Sequence, residues 1–99
     1  MTFQEFKAGV EKAAGNAPNL GKSLKLNLEE GTIHIDMTKD GGAVVTEEDK
    51  EADTVVSTNV QTLDDLRTGK LNPMMAMMGG KVKIKGDMGL AMKLQDLLK

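Results

Sequence analysis

The sequence predicts an α+β domain in which helices pack on one apolar face of a five-stranded, mixed or antiparallel β-sheet. Two observations lead to this prediction. Residues 23–29 and 32–38 alternate strictly between apolar and polar side chains, which is typical of strands with one buried face. Near both ends of the chain, apolar residues recur instead at intervals of three and four, the spacing of one helix face. A chain of 99 residues makes a single domain, residues 1–99.

The first element is a helix near the N-terminus. Thr2 and Glu5 have the spacing of a capping box, in which each side chain satisfies a backbone N–H at the start of the helix. The predicted apolar face of this helix consists of Phe3, Phe6, Val10 and Ala13. The helix is expected to end at Gly15, Asn16 and Pro18.

Three strands follow the first helix. The alternating residues predict a hairpin of strands 23–29 and 32–38 that turns at Glu30-Gly31. Asp40-Gly41-Gly42 is expected to turn the chain into a short third strand at 43–46. The acidic residues of 46–53 indicate an exposed connection, and the valines and threonines of 52–58 favour a fourth strand. Residues 81–85, in which Lys alternates with Val82 and Ile84, predict the fifth strand.

The remaining elements are three helices. Thr58 or Asn59 is expected to cap the first of them, which has Leu63 and Leu66 on its apolar side and ends at Gly69. Asn72 caps the next, with Pro73 at its first position, and Gly79-Gly80 stops it after Met78. Asp87 caps the last helix, whose predicted buried side comprises Leu90, Ala91, Leu94, Leu97 and Leu98.

The composition excludes several classes of function. The chain has no cysteine, which removes disulfides, thiol catalysis and thiolate metal sites. Its formal net charge of -2 argues against nucleic acid as the main partner, because phosphate binding needs a basic excess. There is no apolar run of about 18 residues and no signal-peptide pattern. We therefore expect a soluble, cytoplasmic protein.

Catalysis and metal binding are not predicted either. His34 is the single histidine and occupies a polar position of a strand, where we expect it to face solvent. A nucleophile needs a positioned base, and no such set is found, so we expect neither an enzyme nor a cofactor. The acidic residues 47–53 lack the spacing of a calcium loop. Lys81, Lys83 and Lys85 are expected to protect a sheet edge, although they would also attract phosphate groups.

The unusual feature of the sequence is its methionine content. Two Phe are the only aromatic residues, whereas there are eight Met, six of them between Met74 and Met92. Methionine is flexible and fills irregular or changing spaces. The segment Met74 to Met78 has no polar face, so it is expected to contact something apolar on more than one side. A ligand, a partner protein and a membrane surface remain open at this point.

One long motif resembles a known family. Residues Gly69 to Gln95, GKLNPMMAMMGGKVKIKGDMGLAMKLQ, are similar to the C-terminal half of the sterol carrier protein type 2 family. The step Ala52-Asp53-Thr54, followed by a helix and then Gly-Lys-Leu, resembles that family as well, as does the order of elements. The N-terminal half is similar through its pattern of elements rather than through a motif.

The resemblance implies an apolar tunnel enclosed between the sheet and the helices. It implies non-enzymatic binding and transfer of sterols, fatty acids, fatty acyl-CoA and phospholipids, with transient contact to membrane surfaces. The chain ends Leu97-Leu98-Lys99 and lacks the peroxisomal signal of some members. Carried over by position, the residues expected to line the tunnel are Leu66, Met74, Met77, Met78, Ile84, Gly89, Leu90 and Met92, with Phe6 and Val10 of the first helix.

Two alternatives remain beside the lipid carrier. The Met-rich segment would suit a protein-interaction module that docks a partner helix, because adaptable methionine surfaces accept such helices. The domain would also suit an accessory role, in which it presents acyl-CoA to a lipid-metabolising partner enzyme. In that case, affinity should depend on the CoA phosphates and on Lys81, Lys83 or Lys85.

Overall fold

The computed structural model describes the backbone of residues 1–15, 19–39 and 41–98, and the side chains of these residues as far as Lys93. Within these residues, five strands and four helices follow the predicted order. Their bounds are α1 Phe3–Ala14, β1 Lys22–Leu28, β2 Gly31–Met37, β3 Val44–Thr46, β4 Thr54–Thr58, α2 Val60–Arg67, α3 Pro73–Met78, β5 Lys83–Lys85 and α4 Met88–Leu98.

The strands form one mixed sheet in the order β3-β2-β1-β4-β5. The predicted hairpin is confirmed, because β1 and β2 pair antiparallel with Leu24 opposite Ile35. On its other side β1 pairs parallel with β4, where Leu26 lies opposite Val56. The outer strands β3 and β5 are each antiparallel to their neighbour. The predicted α+β class with a five-stranded sheet is therefore confirmed.

The core lies on one face of this sheet. Because side chains alternate along a strand, the apolar half of each strand is directed to the same layer. The helices bury their apolar positions in that layer, which excludes water from both surfaces. The buried apolar residues of the strands and helices are Leu24, Leu26, Leu28, Ile33, Ile35, Met37, Val56, Phe6, Val10, Ala14, Val60, Leu63, Ala76, Leu90 and Ala91.

Helix α1 begins with the predicted capping box. The Glu5 N–H donates to Thr2 Oγ1 at 3.1 Å, and the Thr2 N–H donates to Glu5 Oε1 at 3.1 Å. Hydrogen bonding of the Glu5 carboxyl to the Thr2 backbone N–H, and secondly to the Thr2 hydroxyl, holds the pKa of this carboxyl below its ordinary value. The helix ends at Ala14, which is buried, whereas Ala13 is half-buried. Asn16, Pro18 and Asp40, predicted at turns, lie outside the described residues.

Several predicted boundaries shift by one or two residues. Strand β4 begins at Thr54 rather than at Ala52. Strand β5 is shorter than predicted because the N–H groups of residues 81 and 82 instead donate to the Ala76 carbonyl, at 2.9 and 3.3 Å. Asn59 caps α2 by accepting from the Thr62 N–H at 2.8 Å.

His34 lies on the second face of the sheet, and the prediction that it faces solvent is wrong. This residue is buried, with 6% of its surface exposed, and its Nε2 lies 3.1 Å from the Glu51 carbonyl oxygen. Strand β3 lies at one edge and β4 lies beyond β1, so the connection between them must cross the sheet. The helices occupy the first face, and the acidic segment 47–53 therefore crosses the second face, over His34. The side chains of residues 47–51 remain exposed, as predicted.

Two polar contacts attach this crossing segment to β1. Lys25 Nζ lies 2.9 Å from Asp49 Oδ1, and the Ser23 N–H donates to Asp53 Oδ2 at 2.8 Å. The crossing thus brings the chain to the start of β4 in parallel register with β1.

The C-terminal helix α4 packs on the first face. Leu90 and Ala91 are buried, which confirms part of its predicted apolar side. The side chains of Leu94, Leu97 and Leu98 lie outside the described part of the chain. No helix within the described residues is both long and apolar enough to span a bilayer.

Candidate functional site

An apolar cavity of about 50 Å³ lies between the β4–β5 end of the sheet and helices α2, α3 and α4. Strands β4 and β5 form its floor, and the three helices form its walls. The residues that line it are Val56, Leu63, Leu66, Arg67, Pro73, Met77, Val82, Ile84, Ala91 and Met92.

Helix α3 closes one side of the cavity. Asn72 caps it by accepting from the Met74 N–H at 2.8 Å, and Pro73 takes the first helical position, as predicted. Pro73 and Met77 are one turn apart, so both face the cavity. Ala76 has 0% of its surface exposed, and its small side chain allows α3 to approach the core closely.

The chain after α3 is tied to the sheet by a buried hydroxyl. Thr58 Oγ1 donates to the Lys81 carbonyl oxygen at 2.7 Å. This hydrogen bond and the backbone bonds to Ala76 fix the turn that leads into β5. Val82 and Ile84, which alternate along this stretch, are thereby both directed into the cavity.

The start of α4 is held by Asp87 and Thr54. Asp87 Oδ1 accepts from the backbone N–H groups of residues 89 and 90 at 2.8 and 3.3 Å, which confirms the predicted cap. The Asp87 N–H donates to Thr54 Oγ1 at 3.0 Å. Lys22 Nζ lies 2.7 Å from Asp87 Oδ2, and this ammonium group, together with the two backbone donors, holds the pKa of the Asp87 carboxyl below its ordinary value. These contacts place Ala91 and Met92 against the cavity.

The cavity is small compared with ligand sites. Pockets for small molecules usually measure about 300–1,000 Å³, so a cavity of about 50 Å³ must expand before it can hold a lipid chain. Helix α3 has only six residues, and only Ala76 among them is fully buried, so few buried side chains attach this wall to the core.

The structure brings together four of the residues that the sequence predicted for the site. Leu66, Met77, Ile84 and Met92 all line the cavity. The other six lie outside this lining: Phe6, Val10 and Leu90 are buried in the core, and Met74, Met78 and Gly89 are exposed.

The methionines of α3 are more exposed than expected. Met74, Met75 and Met78 have 68%, 68% and 84% of their surface exposed, so within the described structure only Met77 of the four turns towards the cavity. Within the domain itself, α3 is therefore packed on one side, and the prediction that its other sides contact a ligand, a partner protein or a membrane stays a prediction. What remains is an exposed apolar surface beside the cavity.

Six further residues complete the lining, and some of them had signals in the sequence. Val82 shares a face with Ile84 in the alternating stretch, and Pro73 lies one turn before Met77. Arg67 had no such signal, because a charged residue at the end of an amphipathic helix usually faces solvent. The lining residues that were not predicted are Val56, Leu63, Arg67, Pro73, Val82 and Ala91.

The lysines near the fifth strand lie away from the apolar cavity. Lys83 and Lys85 flank Ile84 on the edge strand β5, so their exposed side chains are on the opposite face of the sheet. Lys81 and Lys83 line a separate polar groove, together with the carboxylates of Glu29 and Asp65. Within the described residues, no group of His, Asp or Glu side chains is arranged to hold a metal ion.

Comparisons with known proteins agree on the family. The model of the SCP-2 sterol transfer family matches residues 3–99. Sterol carrier protein 2 of Bos taurus is 45% identical over 69 residues, which are 70% of this chain and 13% of that protein. Hydroxysteroid dehydrogenase-like protein 2 of Xenopus tropicalis is 44% identical over 99 residues, which are 98% of this chain and 24% of that protein. The chain thus spans less than a quarter of the length of these relatives.

Comparison with solved structures identifies the same fold. The solution structure of the sterol carrier protein domain 2 of Helicoverpa armigera superposes with a TM-score of 0.70 at 29% identity. The superposition covers 97% of this chain and 84% of that domain.

Proposed function

The chain belongs to the SCP-2 sterol transfer family, and from this premise we propose that it binds one lipid in the apolar cavity and transfers it between membranes without catalysing a reaction. Membership of this family supports lipid binding and transfer in general. The observation that carries the proposal for this chain is the cavity itself: nine of the ten residues found to line it are apolar or proline.

The physical mechanism needs no catalytic group. A lipid tail that leaves water gains about 0.8 kcal/mol per buried methylene, so eight methylenes give on the order of 6 kcal/mol before ordering costs. The ligand would enter by displacing α3 and expanding the cavity. Methionine side chains, here Met77 and Met92, adapt to the shape of the inserted chain and would tolerate sterols, fatty acids, acyl-CoA and phospholipids.

We propose that the exposed methionines of α3 make the transient membrane contact that transfer requires. Met74, Met75 and Met78 are unpacked, and the exposed Lys70 and Lys81 lie on the two sides of the helix in the sequence. Apolar side chains flanked by lysines suit the interface of an anionic membrane. Contact there would bring the bilayer next to the wall that has to open.

Direct binding tests the carrier function. Delipidated protein should bind a fluorescent fatty acid or sterol saturably, with a stoichiometry of about one to one. Met77→Glu should reduce this affinity by about tenfold or more, because an ionised carboxylate is costly in an apolar cavity. Circular dichroism and urea unfolding establish that the variant is folded.

Met75→Glu is the matched control on the same helix. Its side chain is exposed and outside the cavity lining, so equilibrium binding should remain within about twofold of wild type. Transfer between vesicles that contain anionic lipids should nevertheless become slower, because a negative charge is repelled at the membrane surface. Absence of saturable binding across sterols, fatty acids and acyl-CoA would contradict the carrier function, and equal transfer rates would contradict the proposed membrane contact.

A second candidate is an accessory role beside a lipid-metabolising enzyme. It is favoured by the relatives, in which the matched segment is only 13% and 24% of a longer protein. In this role the domain would present acyl-CoA to its partner. Tighter binding of an acyl-CoA than of the corresponding fatty acid, lost in Lys83→Gln, would support it.

The third candidate is a protein-interaction module that docks a partner helix on the exposed methionines. Its support is the same surface formed by Met74, Met75 and Met78. The lipid titration separates it from the carrier, because a docking module needs no saturable binding of a lipid.

A further inference from the structure

One charged side chain interrupts the apolar lining of the cavity. Among the described residues that line it, Arg67 is the only one that carries a charge. The guanidinium group is always ionised and has five N–H donors in a planar fork. A charged group at an otherwise apolar cavity needs an anionic partner, and Asp64 on the same helix supplies one for part of the guanidinium.

The position of Arg67 follows from the geometry of α2. Val60 and Leu63 lie on the buried side of the helix, with 1% and 6% of their surface exposed. Arg67 comes four residues after Leu63 and seven after Val60, so it continues the same helix face at the last turn. An arginine in line with buried positions packs its methylene stem against the cavity while its charged head reaches the rim. The exposed fraction of its side chain, 34%, agrees with this placement.

Asp64 orients Arg67 but accepts from only one of the nitrogen atoms of its guanidinium group. The Arg67 Nη2 group donates to Asp64 Oδ1, one helical turn earlier, in an ion pair between two half-buried side chains. No other hydrogen bond of the guanidinium is found within the part of the chain that the structure describes. The remaining N–H groups are therefore available to an anion, and the Asp64 contact limits the rotamers of the arginine before a ligand arrives.

We infer that Arg67 binds the anionic oxygen head group of a single-chain lipid whose tail occupies the apolar cavity. The inference rests on the proposed lipid binding and narrows it to a class of ligand, a long-chain carboxylate or an alkyl phosphate. The guanidinium fork matches both groups, because each presents two oxygens at the spacing of two N–H donors. A neutral alcohol or sterol offers only a hydroxyl, so Arg67 distinguishes acidic lipids from neutral ones.

Calorimetric titration at pH 8 with three ligands of the same chain length tests this site. The ligands are dodecanoate, dodecyl phosphate and dodecanol, which differ only in the head group. Wild-type protein should bind at least one of the two anions about tenfold more tightly than dodecanol, the effect of one charge-assisted contact at a partly exposed site. The anion that binds more tightly identifies the head group, carboxylate or phosphate, and either result supports the site.

Arg67→Met is the informative variant, because methionine keeps the apolar stem and removes the charge. In this variant, the affinity for the anion should fall to within about twofold of that for dodecanol, because the charge that distinguishes the two head groups is absent. Arg67→Lys keeps the charge but loses the fork, so an intermediate preference is expected. Asp64→Asn keeps a side-chain oxygen that can accept from Arg67 and orient it, but removes the competing negative charge, so the preference for the anion should be maintained or increased.

The outcomes separate this inference from the proposed function. If dodecanol and the anions bind equally to wild type, or if Arg67→Met keeps the wild-type preference, the anion site is wrong while the lipid carrier stands. If none of the three ligands binds, the anion site is wrong, and the titration with sterols, fatty acids and acyl-CoA decides separately whether the carrier function stands.

Discussion

At the scale of single residues, two buried threonine hydroxyls are expected to contribute differently to the free energy of unfolding. Thr54 is fully buried, and its Oγ1 accepts from the Asp87 N–H at 3.0 Å, which joins β4 to the start of α4. Thr46 on β3 also has a buried Oγ1, but this atom finds no hydrogen-bond partner among the described residues. A buried hydroxyl stabilises only when it is paired, because the loss of its hydration is otherwise uncompensated.

Replacement of each threonine by valine should therefore have opposite effects. Thr54→Val leaves the Asp87 N–H without its acceptor and should lower the free energy of unfolding by about 1–3 kcal/mol. Thr46→Val removes an unpaired hydroxyl at constant shape and should be neutral or stabilising by up to about 1 kcal/mol. Urea unfolding at pH 7 measures both values. Equal destabilisation by the two substitutions would contradict the assigned roles.

At the scale of elements, the wall of the cavity depends on how closely the turn between β5 and α4 approaches the start of β4. Gly86 in this turn has a φ of 114°, and a Cβ at this position would clash with the backbone carbonyl oxygen of Asp53 and lie 3.1 Å from Thr54 Oγ1. Gly69, after α2, also has a positive φ, 82°, but a Cβ there would meet nothing within 4 Å. A side chain at Gly69 would therefore cause backbone strain alone, whereas a side chain at Gly86 would cause both backbone strain and a steric clash.

An alanine scan of these two positions should measure the close approach directly. Gly69→Ala should cost about 1–2 kcal/mol through its positive φ alone. Gly86→Ala adds the clash with Asp53 and should cost about 3 kcal/mol or more, because the backbone on both sides must shift. Thermal or urea unfolding compares them. The predicted close contact is contradicted if Gly86→Ala is no less stable than Gly69→Ala.

At the scale of the whole molecule, ligand binding and stability are linked. If a lipid occupies the cavity of about 50 Å³ as proposed, the cavity would have to expand, and part of the free energy of binding would be used to displace α3 from the core. The sheet beneath it is not expected to change, because β1 at its centre is paired on both sides and carries the fully buried Leu24 and Leu26. A ligand that binds only the folded domain stabilises it according to its concentration and affinity.

This linkage gives a test that does not depend on a fluorescent probe. At a fatty acid concentration of one hundred times Kd, the free energy of unfolding should rise by about 2.7 kcal/mol. Met77→Glu at the same ligand concentration should show a much smaller increase, since its affinity is lower. Urea midpoints with and without ligand measure the effect. If titration shows that the wild-type protein is saturated but its urea midpoint does not change, the prediction is wrong, because the lipid then binds the unfolded chain as well as the folded one.

The residues that could be predicted from the sequence are those whose environment depends on neighbours close in the chain. The capping box of Thr2 and Glu5 and the alternation of Leu24, Leu26 and Leu28 are local patterns, and the structure confirms both. The site could be predicted in part. Leu66, Met77, Ile84 and Met92 meet at the cavity, whereas Met74 and Met78 are exposed beside it, because a helix of six residues can turn only some of its side chains to one wall.

What the sequence determined by itself is the set of elements and the apolar character of the region from Met74 to Met92, because periodicity and composition are properties of short segments. Only the tertiary structure decided the environments of His34 and Arg67. His34 is buried because the parallel pairing of β1 with β4 makes the 47–53 connection cross the second face of the sheet. Arg67 reaches the cavity because α2, α3 and α4 converge on β4 and β5. Both depend on contacts between segments distant in the chain, which local patterns do not contain.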